Sequence, residues 1–207
     1  SGQDEPVARP DGVTCTLKPA ATENRLGGAT QDAQLPQLRT GGIPLSSDRF
    51  KPNPVFMRRA IDEAREHLPA MDGGPFGACL VRGDEVLAVA HNTVLKDLDP
   101  TCHGETNAIR LAARKLQRYD LSGCEIYSTT EPCPMCFAAI HWARIGRLIY
   151  GTAIIEVARL GFNELTLSNR QMQALGRSPV AIYPDFLADE CRQLLAEWAG
   201  MPERQVY

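Results

Sequence analysis

Hydrophobic residues recur at two different spacings along this chain, and the two spacings predict its helices and strands. Between residues 54 and 68 the apolar side chains lie three or four positions apart, which predicts a helix that buries one stripe. The stripe is formed by Phe56, Ala60, Ile61, Ala64 and Leu68. Pro54 suits the first turn of that helix, because the N–H that it lacks would have no partner there in any case.

Short, nearly continuous apolar runs predict strands. The first two, in DGGPFGACLV and EVLAVAHN, are joined by a predicted hairpin turn at residues 82–84. Further strands are predicted in CEIYSTT, RLIYGTA and VAIYP. Helices are predicted in CHGETNAIRLAARKLQ from about His103, in PCPMCFAAIHWAR, at 156–160 and in DFLADECRQLLAEWAG. Strands that alternate with helices predict an α/β layered sandwich around a mostly buried sheet.

Residues 1–50 differ from the rest of the chain. They contain many prolines and the glycine pairs at 27–28 and 41–42, but no sustained apolar period. This pattern predicts an N-terminal arm that is extended or partly disordered, followed by one folded domain at 51–207.

Composition narrows the class of protein. With 207 residues, 43% of them apolar, the chain is long enough for one globular domain with its own core. No apolar run approaches the roughly 20 residues of a membrane helix, and the net charge of −3 argues against a nucleic acid partner. The seven cysteines are scattered and odd in number, so we expect free thiols and a reducing, cytoplasmic location in place of a disulfide scaffold.

Cys133 and Cys136 are the first candidates for chemistry. Their spacing at the start of a predicted helix places both side chains on one face. A helix N-terminus favours negative charge, and the thiolate is the form of cysteine that binds zinc. Taken alone, the pair is consistent with a redox site or with half of a structural zinc site.

His103 favours a catalytic zinc ion over a structural one. A structural site has four protein ligands, and Cys102 and Cys124 are the candidates for the fourth. Cys102 is adjacent to His103, and adjacent helical side chains diverge by about 100°, so both reach one ion only if the turn is distorted. His103, Cys133 and Cys136 alone would leave a fourth position for water, as catalytic zinc sites do.

Glu105 supplies a proton acceptor for that water. It points about 200° away from His103 around the helix axis, so it is predicted to lie over the open side of the metal. Each residue also has a simpler interpretation, since a histidine at a helix start is often a cap and a glutamate there often interacts with the dipole. Together, His-x-Glu followed by Pro-Cys-x-x-Cys matches the signature of zinc-dependent deaminases, which hydrolyse an amino group from a ring carbon and release ammonia.

The chain resembles the cytidine deaminase superfamily, and within it the guanine and guanosine deaminases. The resemblance rests on DGGPFGA (72–78), HNTVL (91–95), DPTCHGETNAIR (99–110), EPCPMCFAAIHWAR (131–144) and GF (161–162). It implies a three-layer α/β/α sandwich with a five-stranded mixed sheet. It also implies that Zn²⁺ is bound by His103, Cys133 and Cys136, with Glu105 as the proton shuttle.

The same resemblance implies several contacts with a substrate. Asn92 would hydrogen-bond the base, Phe76 and Trp142 would provide aromatic walls, and the C-terminal Tyr207 would close an active site. It further implies a homodimer whose subunits can exchange C-terminal segments. The simpler alternatives are that Asn92 stabilises a turn, that the two aromatic residues belong to the core, and that Tyr207 is a frayed terminus.

Two segments depart from the pattern of the resemblance, at three positions. Gly104 stands where many relatives have alanine, and it would leave more room beside the ring while its N–H still contacts the substrate. Fungal cytosine deaminases also have glycine there, so this position does not settle the base. In GFNEL, Asn163 and Glu164 replace two aspartates of guanine deaminases, so either Glu164 reads the N–H edge of a purine with a longer arm or the substrate differs.

The sequence therefore predicts a zinc-dependent aminohydrolase that acts on a free purine base or nucleoside, guanine-like before adenine-like. Cytosine or another small amino-heterocycle is the second substrate class. A tRNA adenosine deaminase would need a basic surface, whereas the final predicted helix is acidic, so neither nucleic acid nor a membrane is an expected partner. The non-enzymatic alternative is a structural zinc domain or a deaminase-like fold that only binds a ligand.

Overall fold

The computed structural model describes residues 50–165 and 167–207. The N-terminal arm predicted at 1–50 therefore lies outside the described residues, apart from Phe50. In the described part of the chain, no helix is long and apolar enough to cross a membrane.

Five strands form one mixed sheet. They are β1 (Gly77–Arg82), β2 (Glu85–His91), β3 (Glu125–Thr130), β4 (Arg147–Thr152) and β5 (Ala181–Tyr183). Their order is β2-β1-β3-β4-β5. β1 pairs antiparallel with β2 and β3, whereas β3, β4 and β5 run parallel to one another. The predicted hairpin between β1 and β2 and the five-stranded mixed sheet implied by the resemblance are both confirmed.

Helices flank this sheet. They are α1 (Pro54–His67), a 3₁₀ helix (Leu68–Ala70), α2 (Val94–Asp97), α3 (Gly104–Leu116), α4 (Pro134–Trp142), α5 (Ile154–Ala158), α6 (Asn169–Gly176) and α7 (Ala188–Ala199). The apolar pattern missed α2, α6 and the 3₁₀ helix, which are short. It also placed the start of the last helix too early. Asp185 and Leu187 adopt left-handed backbone conformations, with φ of 59° and 50°, which a helix cannot include.

The sheet is buried on both faces, and the strand residues alternate between two cores. On one face Leu80, Ile126 and Leu148 pack in a cluster with side chains of α3 and α4. On the other face Cys79 and Tyr127, each next in sequence to a residue of the first set, pack in a cluster with side chains of α1 and α7. The two-residue alternation of the strands thus produces the three-layer α/β/α sandwich.

α1 lies unusually close to the sheet. Its predicted apolar stripe is buried, together with Met57, and Asn53 caps its start by accepting a hydrogen bond from the N–H of Val55 at 3.0 Å. A Cβ atom added at Gly77 of β1 would fall on the carbonyl oxygen of Ala60 in α1. The glycine therefore sets the spacing between these two layers.

Gly77→Ala should lower the free energy of unfolding by about 1–3 kcal/mol or more, because the added methyl group has no space beside the backbone of α1. Gly146→Ala is the matched control, since the nearest atom to its added Cβ lies 3.8 Å away; that variant should stay within about 0.5 kcal/mol of the parent. Denaturant unfolding measures both. Equal stabilities would contradict the close contact between α1 and β1.

Candidate metal centre and active site

The three predicted metal ligands lie at the starts of two helices. His103 immediately precedes α3 and Cys133 immediately precedes α4, both with extended backbone, and Cys136 lies in the first turn of α4. One ligand atom from each side chain lies within 4.8 Å of the other two. The Sγ of Cys133 is 3.6 Å from Nδ1 of His103. A separation of about 3.6 Å is expected when a sulfur at ~2.3 Å and a nitrogen at ~2.1 Å share one tetrahedral zinc ion, so the donor set fits zinc.

The two cysteines differ in charge before a cation binds. The hydrogen bond from the Cys136 thiol, opposed by burial, lowers the pKa of Cys133 to about 4. The same hydrogen bond, together with burial, raises the pKa of Cys136. Burial on its own lowers the pKa of His103, but the hydrogen bond with Cys133 and the charge of Glu105 outweigh it and raise that pKa overall. Cys133 is thus a thiolate at neutral pH, which is the form that binds a cation.

The two alternative fourth ligands lie elsewhere. Nη1 of Arg110 is 3.5 Å from the Sγ of Cys102, and Cys124 is buried in the core between the sheet and α3 and α4. Among the described residues, the convergent ligand atoms at this site come from one histidine and two cysteines. A tetrahedral ion with three protein ligands keeps its fourth position for water or substrate, as catalytic zinc ions do.

Glu105 lies in the first turn of α3 and is 6% exposed. The hydroxyl of Ser128 is 3.0 Å from its Oε1 and 2.7 Å from the carbonyl oxygen of Thr130. Burial raises the pKa of Glu105, and contact with the same carboxyl group contributes to the raised pKa of Cys136. Glu105 therefore lies beside the metal ligands, and its raised pKa favours the protonated carboxyl group. A group that takes up a proton readily is suited to general acid–base chemistry.

A cleft of about 250 Å³ opens beside the ligands. It is lined by Phe76, Pro100, His103, Cys133, Pro134, Met135, Phe162, Asn163, Glu164, Leu165 and Tyr207. Five of the residues singled out from the sequence thus come together around one space. Glu164 is the acidic residue among them, and burial, followed by the charge of Cys133, raises its pKa to about 7.

Asn92 and Tyr207 are joined by a hydrogen bond at the edge of this cleft. The Tyr207 hydroxyl donates to Oδ1 of Asn92 at 2.7 Å and accepts a hydrogen bond from the N–H of Gly74 at 3.0 Å. Oδ1 of Asn92 also accepts from the N–H of Val94 at 3.1 Å. Nδ2 of Asn92 is buried and has no hydrogen-bond partner among the described residues. Asn92 thus stabilises a turn with one end of its amide and leaves a donor at the other, and Tyr207 is not a frayed terminus.

Trp142 does not lie in the cleft of its own chain, and Gly104 packs against backbone atoms next to β1 and β2. Trp142 is 79% exposed at the end of α4 and, with Tyr119 and Arg144, lines a different surface, so it forms no wall of the cleft in its own chain. A Cβ atom at Gly104 would approach the carbonyl oxygens of Phe76 and Ala90 at 3.1 and 3.4 Å. The space that this glycine leaves therefore lies over the backbone at the end of β2 and the start of β1.

A second group of possible ligands, Glu63, His67 and His91, also has donor atoms within 4.8 Å of one another. Nδ1 of His91 is 2.8 Å from Oε1 of Glu63, and Nε2 is 3.0 Å from Oδ2 of Asp72. The rings of His67 and His91 are stacked at 3.6 Å with only 14° between their planes. The lone pairs lie in the plane of each ring, and near-parallel stacked planes do not cross beside the rings, so the two histidines do not both point at one ion. This cluster instead connects α1 and β2 to Asp72, at the start of the segment that leads to Phe76.

Residues 51–152 match the family described as the cytidine and deoxycytidylate deaminase zinc-binding region. The chain is also 41% identical over 110 residues to the guanine deaminase of Bacillus subtilis, covering 53% of this chain and 70% of that one. This chain belongs to the cytidine and deoxycytidylate deaminase zinc-binding family. It is accordingly a zinc-dependent deaminase with His103, Cys133 and Cys136 as the candidate zinc site.

Other members of this deaminase family are as similar in sequence. The tRNA-specific adenosine deaminase of Aquifex aeolicus is 41% identical over 123 residues, covering 56% of this chain and 79% of that one. A solved structure in complex with 2,6-diaminopurine is 29% identical with a TM-score of 0.67, covering 77% of this chain and 87% of that one. These similarities show the cytidine deaminase-like fold. Because guanine deaminases and tRNA adenosine deaminases are similar to this chain to the same degree, sequence similarity does not identify the substrate.

The chemistry of this deaminase depends on a division of roles. When bound, the zinc ion lowers the pKa of a water molecule so that it is nucleophilic near neutral pH. His103, Cys133 and Cys136 would hold the ion. The carboxyl group of Glu105 is placed to take up a proton and to return it to a leaving amine. The hydroxyl of Ser128 can accept a hydrogen bond from protonated Glu105 while it donates to the carbonyl of Thr130.

Three residues of this region were not predicted from the sequence. Ser128 contacts Glu105, Phe162 packs edge-on against Phe76 and Tyr207 with ring centroids 5.1 and 5.5 Å away, and Glu131 contacts the starts of two helices. Glu131 stands directly before Pro-Cys-x-x-Cys in the sequence. Its position next to the predicted metal ligands is the signal that could have identified it. The contacts of Ser128 and Phe162 depend on the folded chain.

Cys133→Ser should lose zinc, with at least a tenfold weaker affinity, because it removes a thiolate ligand. Cys102→Ser is the matched control, since Cys102 is adjacent to His103 in sequence but contacts Arg110. That variant should retain one zinc ion per chain. Metal analysis of the purified proteins measures both, and loss of zinc from the Cys102 variant would contradict the three-ligand site.

Proposed function

We propose that this deaminase removes the amino group of a free purine base or nucleoside, guanine-like before adenine-like. The observation that carries the proposal is the pair of unpaired polar groups at the site. Nδ2 of Asn92 is a buried donor without a partner, and the described residues offer the Glu164 carboxylate no hydrogen bond. Guanine carries acceptors at N7 and O6 and ring N–H donors, so a base of this kind supplies partners for both without using the amino group that is removed.

The charge of the cleft supports a small neutral substrate. Its lining residues include no lysine or arginine among the described residues, and burial raises the pKa of their one acidic residue, Glu164, to about 7. Phosphate groups are bound through cationic side chains, so a nucleotide or a tRNA would meet no counter-charge here. This is why we rank tRNA adenosine deamination below the purine base, although tRNA-specific relatives are equally similar in sequence.

Cytosine or another small amino-heterocycle is the second candidate. A cleft of about 250 Å³ accommodates one ring as well as two, and Glu164 is not one of the aspartates of the guanine deaminase pattern. Phe76 and Phe162 both line the cleft, and aromatic side chains can pack against any flat ring. The choice between a one-ring pyrimidine and a two-ring purine therefore depends on whether one molecule can reach both Nδ2 of Asn92 and Glu164.

A homodimer and a cytoplasmic location remain proposals as well. The exposed aromatic side chains of Trp142 and Tyr119, on one surface, are consistent with a face that a second subunit covers. In this structure Tyr207 reaches the cleft of its own chain, so closure does not require exchanged C-terminal segments. A monomeric mass by light scattering would contradict the dimer.

The proposed reaction is tested by ammonia release from a panel of amino-purines, amino-pyrimidines and their nucleosides. We expect turnover of a guanine-like base, at least tenfold above that of cytosine. Glu105→Gln should retain zinc and lose at least 100-fold in kcat, because the proton acceptor is removed. Zinc-loaded wild-type protein without ammonia release from any compound of the panel would contradict the proposal.

We further propose that Tyr207 closes the cleft over the substrate. Tyr207→Phe removes the hydroxyl that contacts Asn92 and Gly74 and should lower kcat/KM about tenfold, in line with the loss of one or two hydrogen bonds. Tyr119→Phe is the control, because Tyr119 is exposed and lies outside the cleft. Deletion of residues 204–207 should cost more than Tyr207→Phe. Unchanged catalytic efficiency after that deletion would contradict the proposal that Tyr207 closes the cleft.

A further inference from the structure

Glu131 is a buried carboxylate with both oxygens engaged by backbone N–H groups, and it is 6% exposed. Its Oε2 accepts a hydrogen bond from the N–H of Ile154 at 3.2 Å, and its Oε1 accepts one from the N–H of Asn169 at 2.8 Å. Ile154 is the first residue of α5 and Asn169 is the first residue of α6. One side chain therefore holds the starts of two helices, where backbone N–H groups otherwise lack partners.

The chain between these two attachment points forms one wall of the cleft. Phe162, Asn163, Glu164 and Leu165 all line it. The N–H of Asn163 also donates to the backbone carbonyl of Tyr207 at 3.2 Å, so this wall holds the C-terminal residue in place. Both ends of the wall meet at Glu131, and its position relative to the cleft therefore depends on that carboxylate.

Glu131 is itself fixed close to the metal ligands. Its N–H donates to the carbonyl of Thr152 at the end of β4, at 2.7 Å. Only Pro132 separates it from Cys133, and the carbonyl of Pro132 accepts a hydrogen bond from Nδ2 of Asn169 at 2.6 Å. The path from the metal ligands to the wall is thus short and hydrogen-bonded. Glu131 itself is not among the residues that line the cleft.

We propose that Glu131 is a positioning residue, which holds the wall between Ile154 and Asn169 at a fixed distance from the metal ligands and so sets where Phe162 and Glu164 meet the substrate. The proposal rests on the proposed function, since it takes the substrate to lie in this cleft. It assigns a role to a residue that touches neither the metal nor the reacting atoms. Its effect should therefore fall on substrate binding more than on zinc binding.

Glu131→Gln tests this in the zinc-loaded protein. Glutamine keeps the size of the side chain, but its –NH₂ group turns a donor toward one of the two N–H groups, so one attachment is lost. We expect at least tenfold faster amide exchange at residues 154–165 and 167–169, an unchanged zinc content, and at least a fivefold higher KM with a smaller change in kcat. Unchanged exchange, or faster exchange with an unchanged KM, would overturn the proposal.

Glu156→Gln is the matched control. Glu156 also accepts a hydrogen bond from a backbone N–H at the start of α5, that of Ala153 at 3.1 Å, and it pairs with Arg192 at 2.8 Å. It contacts only one end of the wall and does not line the cleft. Its substitution should lower stability but leave KM within about twofold of wild type. An equal rise in KM for Glu156→Gln and Glu131→Gln would mean that Glu131 affects KM only through the stability of the fold, and it would overturn the proposal.

A second variant covers the case in which Glu131→Gln does not fold. Asn169→Ala removes the contact to Pro132 but keeps the N–H that binds Glu131, so it loosens one end of the wall. We expect faster exchange near α6 and a smaller rise in KM in the same direction, and the absence of both would overturn the proposal. If the wild-type protein turned over no purine, that result would count against the proposed function. Amide exchange needs no substrate, so unchanged exchange in Glu131→Gln would still overturn the role of Glu131.

Discussion

The site depends on two helix N-termini, those of α3 and α4, that converge on one point. Each N-terminus carries partial positive charge, which on its own would repel a cation. The low pKa of Cys133 reverses the sign, because a thiolate already stands where the ion must bind. His103 and Cys136 then complete a donor set whose atoms lie within 4.8 Å of one another. Cysteine is therefore the residue type that this geometry requires, since neutral histidines alone would leave the positive field uncompensated.

The carboxyl end of β3 supplies a rigid polar frame around those ligands. Ser128, Thr129, Thr130 and Glu131 are all buried, and a buried polar group without a partner costs stability. Here each has one: Ser128 contacts Glu105, Thr129 accepts from the N–H of Gly77 at 3.1 Å, and Thr130 pairs with Thr152 at 2.8 Å. The frame thus links Glu105, the first strand and the neighbouring parallel strand, so displacement of one member disturbs the others.

The sequence predicted the parts of the site that depend on local spacing. The separation of Cys133 and Cys136, and the place of His103 before a helix, are properties of short segments, and the strands follow from two-residue alternation. Trp142 lies outside the cleft of its own chain, because membership of a motif does not say which face of α4 a side chain occupies. Glu131 received no role, since its partners lie more than twenty residues away and appear only once β3 and β4 pair.

The orientation of the Asn92 amide depends on the same kind of long-range contact. Its Oδ1 accepts from both Val94 and Tyr207, so turning the amide over would break two hydrogen bonds and set donors against donors. If Asn92 binds the substrate as proposed, Nδ2 is therefore the end of its amide that is available. The close approach of the segment at 72–76 is needed for this, because a Cβ atom at Gly73 would fall on Oδ1 of Asn92. A buried donor held in one orientation rejects a ring that lacks an acceptor far more strongly than an apolar wall would.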